Sequence, residues 1–191
     1  MHSLNLGCGN RPIAGWMNLD LGGSANVVCD LRGPIPYPDA SVKYVYSEHF
    51  IEHLDEVDGF NLMKECYRVL IPGGILRFSC PDLAQYVQAY LSWEKDGRAD
   101  KEKFTNGVNY LNYAILGEAR NDIRYLSPIR NSVDYGHRYY YDEQEMTRKL
   151  TAAGFRDIVR CSWRESQHPE LRNLEWRPST RDLIMEGVKK L

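Results

Sequence analysis

The sequence predicts a single α/β domain built on an open, mostly parallel sheet. A short apolar strand begins almost at the first residue and runs directly into the glycine-rich turn Gly7-Cys8-Gly9. Two further short strands each end in an aspartate, Asp20 and Asp30, and amphipathic helices alternate with strands further along the chain. This alternation favours a parallel sheet with helices on its faces. Because 191 residues suffice for one well-buried domain of this kind, we expect one domain over residues 1–191.

Composition excludes several classes of protein. No apolar run approaches the ~18 residues that a membrane-spanning helix requires, and the N-terminus lacks the basic and apolar segments of a secretory signal. The 5 cysteines show no Cys-x-x-Cys spacing, which is typical of reduced thiols. We therefore expect a cytoplasmic protein. The net charge of −2, with no strongly basic segment, argues against nucleic acid as a partner.

The first strand and its turn predict a nucleotide-type binding site. Glycines lack a Cβ, so the backbone N–H groups of Gly7-Cys8-Gly9 can approach a ligand closely. Open parallel sheets bind ligands beyond the carboxyl ends of their strands, where Asp20 could accept hydrogen bonds from a ribose diol and Asp30 could reach the base. Alone, the Gly-x-Gly motif is weak, because Pro12 replaces the third glycine of the dinucleotide fingerprint.

The first two connections between strands are unusually short. The segments from Gly7 to Asp20 and from Asp20 to Asp30 leave no room for a full crossover helix beside the strands. Glycine and proline residues in both segments also interrupt helices. We therefore expect a loop or single turn at 11–16 and no helix at 21–26. One sheet face would then lack part of its cover, which predicts a homodimer or cover from elsewhere in the chain.

Hydrophobic periodicity and capping residues predict the remaining elements. Residues 98–138 lack clean periodicity and are rich in Tyr, Asn and Arg, and an insertion of this length is usually functional. In chain order, we expect a strand at 42–46, a helical stretch at 49–68 with a break near 58–59, a strand at 75–80, a helix capped by Asp82 that ends near Gly97, a short helix at 108–116, a helix that begins near Asp142 and ends at Gly154, and strands at 155–163 and 182–188.

Together, these motifs resemble the class I S-adenosylmethionine-dependent methyltransferases, in a small type-11-like variant with shortened first crossovers. The resemblance implies a Rossmann-like fold with a seven-stranded, mostly parallel sheet in the order 3-2-1-4-5-7-6 and an antiparallel last strand. It also implies an enzyme that uses S-adenosylmethionine as its cofactor. The matching segments are Leu4–Asn10, Asp20, Asp30-Leu31, Pro36–Val42, Tyr46–Leu54 and Glu65–Leu76 with its Pro-Gly-Gly turn.

The resemblance also implies roles for individual residues. Asp20 would hold the ribose hydroxyls and Asp30 the adenine amino group. Residues after the fourth strand would lie beside the sulfonium. The implied cofactor-binding residues are Asn5, Leu6, Gly7, Cys8, Gly9, Asn10, Asp20, Leu21, Asp30, Leu31, Ser47, Glu48 and His49.

The acceptor is predicted to be a small molecule or a saccharide, methylated at oxygen or nitrogen. Methyl transfer is an in-line displacement, so catalysis is largely a matter of positioning. An alcohol acceptor would also need a general base, and histidine has a suitable unperturbed pKa, which makes His49 and His137 the candidate catalytic residues. Residues 98–141 are predicted to form a cap whose tyrosines stack on sugars and whose arginines pair with anionic groups.

Two alternatives compete with this interpretation. His49, Glu52 and His53 spell His-x-x-Glu-His, the pattern of an inverted zinc peptidase, with both histidines on one helix face. A zinc hydrolase would need a further ligand from downstream and would leave the glycine turn without a role. We therefore expect no metal site. The non-enzyme alternative is a cofactor-binding module with an idle acceptor site.

Overall fold

The computed structural model describes residues 2–93, 106–116, 136–177 and 181–190. Within these ranges, no helix is long and apolar enough to cross a membrane. The strands are β1 (His2–Leu6), β2 (Met17–Asp20), β3 (Val27–Val28), β4 (Val42–Glu48), β5 (Leu70–Pro81), β6 (Arg156–Arg160) and β7 (Asp182–Val188). The α-helices are α1 (Glu56–Val69), α2 (Leu83–Leu91), α3 (Gly107–Leu116) and α4 (Glu143–Ala153), and short 3-10 helices cover Ile51–His53 and Pro169–Leu171.

The strands form one 7-stranded sheet in the order β3-β2-β1-β4-β5-β7-β6. β1 to β5 pair in parallel, whereas β7 runs antiparallel to both of its neighbours. The predicted sheet order and antiparallel last strand are confirmed. Because β1, β2 and β4 are parallel, their carboxyl ends meet at one edge of the sheet, where the chain leaves Leu6, Asp20 and Glu48.

Aspartate side chains begin three of the helices. Asp82 accepts a hydrogen bond from Ala84 N at 3.1 Å, and Asp142 accepts one from Glu145 N at 2.8 Å, as the sequence predicted. The third is Asp55, whose Oδ1 accepts from two backbone N–H groups of the first turn of α1. Such caps satisfy donors that have no partner inside the helix. α4 ends at Gly154, which has the left-handed φ of 111° that glycine adopts without strain.

The stretch after β4 differs from the prediction. It is not a helix broken near residues 58–59, because the chain first makes the 3-10 turn at 51–53 and enters α1 only after Asp55. Gly59 lies inside α1, where a Cβ would stand 2.7 Å from Tyr141 Oη. This glycine is therefore needed for close packing and does not end a helix. α2 also ends earlier than predicted, at Leu91.

The short first connections are confirmed, since residues 11–16 and 21–26 hold turns and no helix. β4 continues past the predicted end to Glu48, and β5 already begins at Leu70, directly after α1. The sheet is packed on its α1 and α4 side by apolar residues that are fully or almost fully buried, among them Leu4, Leu6, Val45, Leu62, Leu76 and Phe78.

A buried arginine ties the segment before β7 to the sheet. Arg77 of β5 is 0% exposed, and its Nε and Nη1 donate to Glu175 Oε1 at 2.6 Å and Glu186 Oε1 at 2.5 Å. Glu175 also accepts from Arg164 N, so the connection between β6 and β7 is anchored at two of its residues. Buried charges of this kind are tolerated because they are paired and hydrogen-bonded.

We expect Arg77→Met to destabilise the protein by ~3–5 kcal/mol, because it leaves two buried carboxylates without their cation. Urea denaturation at neutral pH measures the loss. Arg148→Met is the matched control, since Arg148 pairs with Glu145 on the surface of α4 and its side chain is 60% exposed. Exposed pairs contribute little. Equal losses in the two variants would show that the buried arginine is not an anchor.

Candidate active site

The glycine turn after β1 bends back over β2. Gly7 and Gly9 have positive φ values of 67° and 50°. Gly7 N donates to Leu19 O at 2.8 Å, which closes the turn against β2. A Cβ on Gly7 would lie 2.3 Å from Phe50 Cγ, whereas a Cβ on Gly9 would meet nothing within 4 Å. Gly7 is thus required by packing, and Gly9 borders open space.

Asp20 joins the turn from the end of β2. Its Oδ2 accepts a hydrogen bond from Gly9 N at 2.8 Å, and its Oδ1 accepts one from Leu21 N at 2.7 Å. These bonds hold the carboxylate in a fixed orientation beside the turn. A carboxylate has about four acceptor positions, so Asp20 can still accept hydrogen bonds from the hydroxyls of a ligand.

A first cavity of about 300 Å³ lies beside Asp20. The predicted cofactor residues Leu21, Asp30 and Leu31 line it, and so does Arg32, which the sequence analysis did not single out. Arg32 Nε lies 3.0 Å from both carboxylate oxygens of Asp30, and this hydrogen-bonded guanidinium lowers the pKa of Asp30. Asp30 therefore enters the cavity as half of an ion pair.

A second cavity of about 450 Å³ lies on the other side of the turn. Gly7, Gly9 and His49 line both cavities, so the two adjoin at the carboxyl ends of β1 and β4. The predicted residues Asn5, Cys8, Asn10 and Glu48 line the second cavity only. Burial raises the pKa of the Cys8 thiol to about 11, which keeps it neutral and suits a packing residue better than a nucleophile.

Two predicted cofactor residues lie beneath the site. Leu6 is 0% exposed and Ser47 1% exposed, and neither lines either cavity. Asn5 has a supporting contact of its own, because its Nδ2 donates to Asn18 Oδ1 at 2.8 Å. Asn18 in turn accepts from Ile13 N and so holds the loop that precedes β2.

The connection between β6 and β7 forms the outer wall of the second cavity. Glu48 accepts hydrogen bonds from Trp176 N at 3.2 Å and Arg177 N at 3.3 Å, and burial raises the pKa of Glu48. The guanidinium of Arg11 lies 4.3 Å from the centre of the Trp176 ring, a cation–π distance. Sequence reasoning missed these wall residues, although a tryptophan followed by an arginine in a long loop was a usable signal.

His49 occupies a strained and charged position. Its φ is 50°, which is uncommon for a residue with a side chain. Its Nδ1 lies 3.2 Å from Glu52 Oε1, and its Nε2 lies 3.1 Å from Asp182 Oδ2. Burial alone lowers the pKa of this imidazole, but the two carboxylates outweigh burial and raise the pKa to about 9. The arrangement suits a protonated ring that orients its neighbours. It does not suit a general base, because a general base needs a free ring nitrogen.

His137 lies in the segment 136–140, which docks on the 3-10 turn after β4. Arg138 N donates to the backbone oxygen of Glu52 at 2.7 Å. The His137 ring is centred 5.0 Å from the His53 ring. The structure therefore brings His137 to Glu52 and His53, a juxtaposition that the sequence pattern did not reveal.

The zinc peptidase pattern is not realised in the predicted form. His49 precedes the 3-10 turn and His53 ends it, so the two do not share a helix face. The two ring nitrogens of His49 face Glu52 and Asp182. His49 is accordingly unavailable to a ligand set with His53.

We expect Gly7→Ala to destabilise the protein by at least ~2 kcal/mol more than Gly15→Ala, because only the first adds a steric conflict to the cost of a positive φ. Gly15 has a φ of 80° with nothing within 4 Å of a Cβ, which makes it the matched control. Urea denaturation compares the two. Similar losses would mean that the contact with Phe50 does not constrain the turn.

Comparison with known proteins agrees with this geometry. Residues 16–78 match a family model described as a methyltransferase domain. No curated protein matches the sequence. The chain is similar to a SAM-dependent methyltransferase from Methanosarcina mazei, with 15% identity, a TM-score of 0.55, and coverage of 100% of this chain and 92% of that one. A SAM-dependent methyltransferase from Archaeoglobus fulgidus has 16% identity and a TM-score of 0.55 over 98% of this chain and 86% of that one.

A third solved structure, an S-adenosylmethionine-dependent methyltransferase from Mesorhizobium loti, has 16% identity and a TM-score of 0.51 over 98% of this chain and 90% of that one. At such identities the structural likeness concerns the fold alone. The matched segment, residues 16–78, is similar to a methyltransferase domain. The fold of the chain is the one found in these S-adenosylmethionine-dependent methyltransferases.

Proposed function

We propose that this enzyme transfers the methyl group of S-adenosylmethionine to an oxygen or nitrogen of a small-molecule or saccharide acceptor. The observation that carries the proposal is the pair of cavities that adjoin at Gly7, Gly9 and His49. Ligands of parallel α/β sheets bind at this edge of the strands. One cavity is lined with aspartates and the other with aromatic and cationic side chains, which suits two different ligands that meet at the turn.

The first cavity fits the adenosine portion of the cofactor, and the methionine portion would extend past the glycine turn to residues of the second cavity. Gly9 leaves open space where a Cβ would intrude on a close ligand, and the orientation of Asp20 suits a ribose diol. Acidic residues on the cavity wall also complement the positive charge of a sulfonium. When bound, the cofactor supplies an electrophilic methyl group. We assign the ribose to Asp20, the adenine to Leu21, Asp30 and Leu31, and the methionine portion to Gly7, Cys8, Gly9, Asn10 and Glu48, with Asn5, Leu6 and Ser47 as supporting residues.

The protein's own part in catalysis is then mainly alignment. His49, held between Glu52 and Asp182, is proposed to fix the geometry of the turn as an imidazolium. His137 is proposed to take the proton of an alcohol acceptor. An acceptor in the second cavity would meet Trp176, whose ring suits sugars, and Arg11, whose guanidinium suits anionic groups.

Part of the proposed cap over residues 98–141 lies outside the described residues. The cap residues that lie outside them are Tyr125, Tyr135, Arg120, Arg124 and Arg130. Tyr110, expected to stack on acceptors, is 2% exposed and packs beside Tyr86 and Trp93. It is therefore a packing residue of α3 and α2. A single domain over 1–191 with this cap, a homodimer and a cytoplasmic location stay predictions.

We expect Asp20→Ala to weaken binding of S-adenosylhomocysteine by ~2 kcal/mol or more, roughly 30-fold, because charged hydrogen bonds to the ribose are lost. Isothermal titration calorimetry measures the affinity. Asp157→Ala is the control. Asp157 lies on β6, pairs with Lys190, and has a side chain that is 61% exposed. Unchanged binding by a folded Asp20 variant would remove the cofactor assignment.

We expect His137→Ala to lower turnover while the affinity for S-adenosylhomocysteine stays within about twofold, because His137, unlike Arg138, does not line the cavity assigned to the cofactor. For the histidine, the loss should be ~10²-fold or more, as for other general bases. Radiolabelled methyl transfer to a panel of sugars and small alcohols measures turnover, with Arg156→Ala on β6 as control. The proposal fails if the His137 variant keeps full turnover, or if it folds and no longer binds the cofactor product.

A further inference from the structure

Glu52 is a buried carboxylate whose charge is only partly compensated. The residue is 1% exposed and lies in the 3-10 turn after β4. Oε1 stands 3.2 Å from His49 Nδ1, whereas Oε2 has no hydrogen-bond partner among the described residues. Burying an ionised carboxylate is costly unless a cation or several hydrogen bonds face it. The side of Glu52 away from His49 is thus suited to a cationic ligand.

Two further histidines lie close to Glu52. Ligand atoms of Glu52, His53 and His137 all lie within 4.8 Å of one another. His53 follows Glu52 directly, and His137 is brought in by the backbone, because Arg138 N and Tyr139 N both donate to the Glu52 carbonyl, at 2.7 and 3.3 Å. Both histidines are half-buried, so the cluster is reachable from solvent. Main-chain hydrogen bonds thus hold together three side chains from two distant segments.

We propose that Glu52, His53 and His137 bind one divalent transition-metal cation, with zinc the best match. Two imidazoles and a carboxylate are ligands that Zn²⁺ prefers, and three protein ligands leave a coordination position open, as in catalytic zinc sites. Ligand atoms of one tetrahedral zinc lie ~3.4 Å apart. Side-chain rotation would therefore have to bring ligand atoms of the three residues from their present distances of up to 4.8 Å to about that separation. The contact between His49 and Glu52 supplies the outer-shell support that metal-binding carboxylates usually have.

The location gives the cation a role. His53 also lines the first cavity, beside Gly7 and Gly9, so a cation held there borders the space next to the glycine turn. An acceptor that extends from the second cavity to the shared glycine turn could coordinate the cation through its hydroxyl. Coordination lowers the pKa of that hydroxyl, which can then lose its proton to solvent water before its oxygen attacks the methyl carbon. This role rests on the proposed function. In it, His137 binds the cation, and the cation, in place of the His137 imidazole, causes the acceptor to lose its proton.

Metal binding can be measured without cofactor or acceptor. Tag-free protein, stripped with chelator, is titrated with Co²⁺ under visible absorption and with Zn²⁺ in a calorimeter. We expect one ion per chain, and at least ~10-fold weaker binding in His53→Ala and His137→Ala. His2→Ala, a change at an exposed histidine at the start of β1, should bind as the unmodified chain does. Glu52→Gln keeps the side-chain shape and should also weaken metal binding. This variant provides the test if an alanine variant does not fold.

The inference is overturned if the unmodified chain binds neither ion at micromolar concentration, or if binding survives all three ligand changes. That result would leave the proposed methyl transfer intact with His137 as base. Conversely, full turnover in His137→Ala would contradict the proposed function, while the titrations would still report on the metal site. The two failures are therefore distinguishable.

Discussion

The lack of a side chain at Gly7 sets how the segment after β4 meets the turn after β1. Phe50 packs where a Cβ would otherwise be, so its ring rests directly on the turn. This contact fixes the start of the 3-10 helix, and through it the positions of His49, Glu52 and His53. A methyl group at Gly7 would push that whole segment away, and both cavities would change shape together, because the turn lines each of them.

Two clusters of paired charged side chains are buried in the interior of the protein. Arg77 lies between Glu175 and Glu186, and His49 lies between Glu52 and Asp182. Each cation contacts two carboxylates that come from different parts of the chain. Buried pairs of this kind contribute little net stability compared with apolar packing, but they tolerate no loss of one partner. Their effect is to specify where β7 and its preceding connection lie against β4 and β5.

Local signals in the sequence were sufficient for most of the fold. Gly7 and Gly9 have the positive φ values that a tight ligand-binding turn demands, and Asp82 and Asp142 begin helices as capping residues should. The order of the strands came from the resemblance to a family and was confirmed. The start of α1 was placed wrongly, because the apolar spacing after β4 fits a 3-10 turn followed by a helix as well as one broken helix.

The site was only partly predictable, for a physical reason. The partners of Glu48 and His49 lie in the connection before β7 and at its first residue, Asp182, and no local periodicity links such distant positions. The proximity of His137 to Glu52 depends on main-chain hydrogen bonds that carry no sequence signature. Asp20, which was singled out by its residue type at the end of a strand, does lie beside the glycine turn. Residues that matter through a neighbour, such as Arg32, were missed.

The position of β7 has a consequence for the order in which the protein becomes functional. β7 is the last strand in sequence, yet it lies between β5 and β6. The glycine turn and Asp20 are synthesised before Trp176, Arg177 and Asp182, which complete the contacts of Glu48 and His49. A growing chain therefore exposes the unpaired edge of β5 until β7 has been synthesised, and the walls of the ligand site are complete only after that.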